Sequence, residues 1–490
     1  MMKKLLPFLC ASALALSLTA CAGTINNSTA DAASDVTFTF TDSGVIAAGE
    51  TNTGYEIDGT ALTITDSGTY TVSGSCADGS IKVKKGTTGV TLVLDGLTLT
   101  SENTAAITCG KSSEVTILVS NGTENSLSDT EQNNDDNYPE NENAENAVIK
   151  CKDGSTVTLC GDGELTITAN GKNGIKSGAT TAEEGEASLT IRELTLNIDA
   201  PVNDAVNAEA ALDVESGTLT LSAGDDALHC DYTLNIGANG TAGPSVTITT
   251  CNEGLEGAAV NVFSGSINIQ STDDCINAAN ADLTDFTYAL NIYGGTIAAR
   301  SDSGDGFDSN GDLTISGGNV TVWTANAADN EPLDTDGTVT VSGGTVLAAG
   351  GSSGMGMSLT ANQPCVVFGG ATKLPDETAQ KEQPSGEERP GGKELPSGEN
   401  QSERRGFPGG GASLLTQGST FTVADSDGAA LYTGEAAYNA SFVFFSSADL
   451  SDGESYTLTS GETQTESTAQ TGTVRTGMGG MGGPGGQRPD

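Results

Sequence analysis

The chain has 490 residues, 65 of them acidic and 20 basic, giving a formal net charge of −45 and a pI near 4.1. Such a surface repels nucleic acid, anionic headgroups and acidic polysaccharide unless cations stand between the partners, so divalent metal is expected early. With 65 Gly and 4 % aromatics, the composition starves an ordinary core of large side chains and favours a thin, repetitive one.

Residues 1–20 place Lys3 and Lys4 before an apolar run from Leu5 to Leu18, which is too short for a membrane span and reads as a secretory signal. Its end, Leu18-Thr19-Ala20-Cys21, resembles a lipobox, so Cys21 is the expected lipidation site; an ordinary cleavage site beside a chance Cys is the alternative. Cleavage removes two lysines and no acid, moving the charge from −45 to −47. Residues 21–35 read as a tether. The expected location is the outer side of a bacterial cell membrane, reached through a lipid anchor only.

From 36 to 370 short Val/Ile/Leu/Thr strands alternate with Gly, Asn and Asp, without helical periodicity. A unit recurs at 212–230, 260–278, 290–310, 313–336 and 339–351: two period-2 strands around a Gly turn, then an acidic turn and a third short strand. Aligning the apolar residue of that third strand gives Ile175, Val206, Leu228, Leu255, Ile276, Phe307 and Leu333, with Ile81, Ile107 and Ile149 extending the series. Spacings of 21 to 31 residues and three strands per unit predict an all-β solenoid, a parallel β-helix. Cys109, Cys151 and Cys230 fall two residues after the aligned position and read as small buried fillers rather than disulfides. Residues 123–146 read as an acidic loop inserted in one coil, either a solvated bulge or a cation-attracting flap. Residues 371–411 read as a disordered linker, 412–461 as a β cap carrying Phe442-Val443-Phe444-Phe445, and 462–490 as a disordered Gly-rich tail.

The acidic turn is where chemistry is expected. Two positions before the aligned residue stand Asp204, Asp226, Glu253, Asp274, Asp305 and Glu331; one position after it stand Asn207, His229, Glu256, Asn277, Asp308 and Asp334. Doublets Asp225-Asp226 and Asp273-Asp274 add more. Coils stack about 4.8 Å apart, so neighbouring carboxylates in one column repel by roughly 3 to 4 kcal/mol at an effective dielectric near 20. Hard oxygen ligands suit Ca2+, structural or ligand-bridging, with Asp204, Asp225, Asp226, Glu253, Glu256, Asp273, Asp274, Asp305, Asp308 and Asp334 as candidate ligands. The alternative is that Asp and Asn occur there because turns favour them.

The run 146–178, followed by GDDALHC, EGLEG, DDCIN and DGFDSNG, resembles carbohydrate-binding lipoproteins of the Clostridial cellulose- and pectate-binding β-helix family, over roughly residues 36–461. The resemblance implies a right-handed, polysaccharide-lyase-like β-helix with Ca2+ on its acidic turns and affinity for cellulose-like or acidic cell-wall glycans. The family motif carries onto Asp226, Asp274, Asp305 and Asp308.

Binding without cleavage is the expected function. A pectate-type lyase needs a basic residue with further cations, and Arg300 is the only Lys or Arg between Glu193 and Thr372. Catalytic residues are therefore expected to be none. Trp323 shares an outward strand slot with Arg300 and Gln270, so Trp323 and Arg300 are candidate sugar contacts, unless Trp323 merely covers the core. A surface adhesin or spacer and a Ca2+-dependent lyase stand as alternatives. The protein is expected to act as a monomer and to bind no nucleic acid.

Overall fold

The computed structural model describes residues 36–49, 53–178, 186–283, 286–325, 330–351, 357–369 and 413–476. Cys21, the signal, the tether and the linker 371–411 lie outside them. The described chain is all β: 38 strands, with 34 in one large sheet and four in a second.

Most strands of the large sheet pair in parallel with strands one coil away, giving three ladders. The first ladder contains Ser80–Val83, Ile107–Cys109, Ala147–Cys151, Asn173–Ser177, Val206–Ala208, Ile276–Ala278 and Phe307–Ser309. The second contains Ser188–Arg192, Ala211–Val214, Ala289–Ile292 and Asp312–Ile315, and the third Glu164–Thr168, Thr195–Ala200, Ser266–Ser271, Thr296–Ser301 and Asn319–Thr324. Leu228–Ile236 and Leu255–Val262 each serve the first two ladders.

The aligned apolar series is in register throughout. Ile81 pairs with Ile107, Ile107 with Ile149, Ile149 with Ile175, then Val206, Leu228, Leu255, Ile276, Phe307 and Leu333 come coil by coil. Each of these side chains is at most 1 % exposed, and together with the inward residues of the other ladders they form one core from Val36 to Val474. A single coil leaves its apolar face uncovered, so only stacking removes it from water. The turn joining the second and third ladders needs glycine. Gly318 has φ +87, and a Cβ there would lie 2.7 Å from the Gly295 carbonyl oxygen of the coil below.

Among the described residues eight cysteines are buried, Cys76, Cys109, Cys151, Cys160, Cys230, Cys251, Cys275 and Cys365, and the burial of Cys109, Cys151 and Cys230 agrees with their reading as core fillers. Cys109 pairs in register with Cys151, and Cys230 with Gly257.

Two boundaries differ from the sequence expectation. The insertion loses its first residues to the strand Glu124–Asp129, where Leu127 enters the core and Asn125 Oδ1 accepts from the N–H groups of Gly96 and Leu97 at 3.0 and 2.9 Å. The rest of the insertion is a loop tied down rather than a free flap. Asn133 Nδ2 donates to Asp129 Oδ2 and to the Ala147 carbonyl, and Asn134 Nδ2 donates to the Gly171 carbonyl. Strand structure also continues past 461, through Thr463–Thr468 and Gln470–Arg475.

The C-terminal segment divides its work. Thr420–Ala424, Ala430–Glu435, Ser455–Ser460 and Thr463–Thr468 form the separate antiparallel sheet. Phe442–Ser446 instead pairs antiparallel with Thr345–Gly350 and with Ser358–Gly369 at the end of the large sheet. Alternation splits its aromatics: Phe442 and Phe444 join the main core, while Val443 and Phe445 join a second core under the four-stranded sheet. At the other end Val36–Thr41 pairs in parallel with Gly68–Cys76, and Gly44–Ala48 pairs antiparallel along its outer edge.

Candidate functional site

The acidic turns come after third-ladder strands and lead into first-ladder strands, so parallel register stacks their carboxylates in columns. Seven of the ten predicted metal ligands come together in groups of three, each with one ligand atom per residue and all within 4.8 Å of one another: Asp204–Asp225–Asp226, Asp226–His229–Glu256 and Asp305–Asp308–Asp334. Glu253, Asp273 and Asp274 join no such group among the described residues.

Part of this acidity has a local structural role. Asp204 Oδ1 accepts from the backbone N–H of Asp226 at 3.1 Å, and Asp274 Oδ1 from that of Asp305 at 2.6 Å. Each carboxylate thus caps the same position one coil on. Asp204 Oδ2 also accepts from Asn207 Nδ2 at 2.6 Å and Asn203 Nδ2 at 3.1 Å.

The electrostatics remain unbalanced after these bonds. Burial, with repulsion from neighbouring acids, pushes Glu253 up to about 8 and Asp274, Asp305 and Glu331 up to about 7. Burial likewise raises Asp204 and Asp308 above the usual carboxylate range. A column whose members resist ionisation near neutral pH needs positive charge to be fully ionised.

One coil supplies that charge itself. His229 Nδ1 lies 3.1 Å from Asp226 Oδ2 and contacts Glu256 Oε2, while Nε2 lies 3.1 Å from Asp231 Oδ1. Burial disfavours its cation, yet these three acids outweigh burial and raise the imidazole far above its usual range, which favours an imidazolium, while burial and the nearby Glu256 push Asp226 itself up to about 9. In return it holds Glu256 below the usual range despite burial.

Register makes Asp305–Asp308–Asp334 the counterpart of that triad. His229 pairs with Glu256 along the column, Asn277 pairs with Asp308, and the bridge from Phe307 to Leu333 brings Asp334 beneath Asp308. Asp308 stands where the other triad has His229, so three acids meet with no internal cation. One coil away, Asn277 Nδ2 donates to Glu253 Oε2 at 3.0 Å, but its Oδ1 is buried without a hydrogen-bond partner. An orphaned amide oxygen beside clustered carboxylates is the donor set a hard cation such as Ca2+ prefers.

The same column carries lysines that the sequence reading passed over. Lys150 and Lys176 each come directly after an aligned Ile, pair with each other, and precede Asn207 and His229. Burial lowers both amines, Lys150 to about 8. Lys150 Nζ donates to the Gly178 carbonyl at 2.7 Å, and Lys176 Nζ to Asn207 Oδ1 at 3.2 Å. The signal was available, because the position after each aligned residue includes them.

The two predicted sugar contacts separate. Gln270, Arg300 and Trp323 do share one column. Trp323 is only 3 % exposed, however, and its ring meets Phe421 of the four-stranded sheet edge-on at a centroid distance of 5.9 Å. It is a core residue and offers no face to a sugar. Arg300 stays exposed, lining a cleft of about 710 Å³ with Gln270, Asp302 and, from the C-terminal segment, residues 417–418 and 435–438.

Comparison with known proteins assigns the family. Residues 58–354 and 240–453 match the family described as carbohydrate-binding domain-containing protein. A protein so named from Acetivibrio thermocellus is 35 % identical over 127 residues, 25 % of this chain and 42 % of that protein. The match thus spans less than half of the relative's length. A solved structure described as the gadolinium derivative of the polysaccharide lyase-like protein from C. thermocellum is 25 % identical, covers 64 % of this chain and 93 % of its own, and has a TM-score of 0.32. The family match extends over most of the chain, including every acidic turn described above, and the chain belongs to the carbohydrate-binding domain-containing family.

Proposed function

We propose that this protein is a lipid-anchored surface protein that binds plant cell-wall polysaccharide through a Ca2+-loaded, right-handed parallel β-helix and does not cleave it. The observation that carries this reading is the Asp305–Asp308–Asp334 cluster, the register equivalent of a triad that His229 neutralises, with no cation of its own among the described residues. Three ladders of parallel strands on one continuous core support the β-helix. The lipobox at Cys21 supports the anchor.

Asp305, Asp308 and Asp334 would hold the ion, with the Asn277 carbonyl oxygen next along the column. Ca2+ bound there supplies the positive charge that lets a mature surface of net charge −47, the −45 of the whole chain less two lysines, meet uronate carboxylates. Backbone capping by Asp274 fixes the turn at Asp305, so the cluster is positioned before any ligand arrives.

A second reading, a polysaccharide lyase, is favoured by Lys150 and Lys176. An amine lowered by burial can take the C5 proton beside a uronate carboxylate; the C5–H electron pair then becomes the C4–C5 double bond as the C4–O bond breaks, and the departing oxygen takes a proton from water. Both amines are mostly buried and already donate to protein oxygens, which weighs against access to a polymer.

Retention on insoluble pectin and cellulose, with and without EDTA, tests the proposal alongside absorbance of unsaturated products. Calcium-dependent retention without products supports it. Products would establish the lyase, and no retention on either polymer would leave an adhesin or spacer.

A further inference from the structure

The cleft beside Arg300 lies apart from the carboxylate clusters and is unused by the reading above. One wall is the outward column of the third ladder, Gln270 and Arg300, with Asp302 just beyond the strand. The other wall is the C-terminal segment, with Gln417, Glu435 and Tyr438. The walls are joined: Tyr438 Oη donates to Asp302 Oδ1 at 2.6 Å and accepts from Gln270 Nε2 at 3.1 Å. These two bonds hold the walls together. The groove between them is open to solvent, and its volume of about 710 Å³ falls in the range of ligand-binding clefts.

The free valences decide the ligand class. Arg300 has no ion-pair partner among the described residues, so its planar fork of N–H donors faces the cleft unspent. Asp302 and Glu435 offer acceptors, and Gln417 offers both kinds. Donors and acceptors in one cleft suit sugar hydroxyls, each of which can give and take a hydrogen bond. The formal charge of the lining is one cation against two carboxylates, so an added uronate meets net repulsion here while an uncharged sugar does not.

The geometry points to a second glycan site in this cleft, one that takes a short neutral oligosaccharide without metal, with Arg300, Glu435 and Asp302 hydrogen-bonding its hydroxyls. It deepens the polysaccharide-binding reading and rests on it, adding a neutral-sugar site to the calcium-dependent one.

Titration calorimetry of the protein with cellohexaose and with an oligogalacturonate, each in Ca2+ and in EDTA, separates the two. Arg300→Ala and Glu435→Ala should each weaken cellohexaose at least tenfold, and EDTA should leave it unchanged. Oligogalacturonate should require Ca2+ and ignore both substitutions. Both positions are exposed, and unchanged melting would show that the variants fold. Cellohexaose affinity that survives both substitutions, or that disappears in EDTA, overturns the cleft while leaving polysaccharide binding intact. Oligogalacturonate binding lost in Arg300→Ala overturns the neutral specificity. A wild-type protein that binds neither sugar overturns the polysaccharide-binding reading as well.

Discussion

Replacing His229 by Asp turns the self-neutralised triad into a copy of the Asp305–Asp308–Asp334 cluster and should create a calcium requirement where none exists. The imidazolium reaches Asp226 and Asp231 at 3.1 Å each and also contacts Glu256. Removing one partner from a buried ion pair costs about 3–5 kcal/mol. The imidazole is 21 % exposed, which points to the lower end, about 3 kcal/mol. In chelator, His229→Asp should therefore lose about 3 kcal/mol or more, because the new carboxylate adds repulsion. Calcium at about a hundred times its dissociation constant should return about 2.7 kcal/mol. His229→Gln serves as the control, losing the cation without gaining a ligand charge and recovering less. Urea unfolding of the three proteins in EDTA and in Ca2+ measures this. Equal destabilisation of His229→Asp in both buffers would refute the reasoning, as would no loss at all.

Further outcomes are expected from the same columns. Asp274, Asp305 and Glu331 carry folded values near 7, raised chiefly by burial from ordinary values of 3.8 and 4.5. An acid raised on folding stabilises fully below its unfolded value, and that contribution is lost as pH rises through the folded one. Melting temperature in EDTA should thus fall between about pH 4 and pH 7, and saturating Ca2+ should flatten the fall; a profile indifferent to Ca2+ would count against ions in the turns. Asp305→Asn with Asp308→Asn should relieve repulsion, raise stability in EDTA and abolish the stabilisation by Ca2+ at that cluster, as scanning calorimetry would register. Phe307, fully buried in the first ladder, should cost about 3–5 kcal/mol on replacement by Ala, and a loss below about 1 kcal/mol would contradict the continuous core.

The repeat was legible because burial forces it. Parallel stacking puts the same kind of side chain at the same place in each coil, so the series from Ile81 to Leu333 could be aligned despite steps of 21 to 42 residues. Carboxylates at fixed offsets from that series therefore stack in the columns the alignment predicts. Trp323 shows where such reasoning stops. Strand alternation says that it points outward, but not that Phe421, far along the chain, comes back to cover it. Thr463–Thr468 and Gln470–Arg475 escaped detection because they carry few apolar side chains and are held by backbone pairing to Ser455–Ser460 and to the strand that begins at Ser358. The Arg300 cleft was invisible for the same reason as the Trp323 burial: its two walls are joined by contacts such as that of Tyr438 to Asp302, 136 residues apart.

The central claim is that calcium on the acidic turns joins this acidic protein to an acidic glycan. Titrating polygalacturonate into chelator-stripped and into calcium-saturated protein, by calorimetry, tests it most directly. Saturable binding in calcium alone, reduced at least tenfold by Asp305→Asn with Asp308→Asn, is the predicted result. Equal binding in both states, or none in calcium, would contradict it.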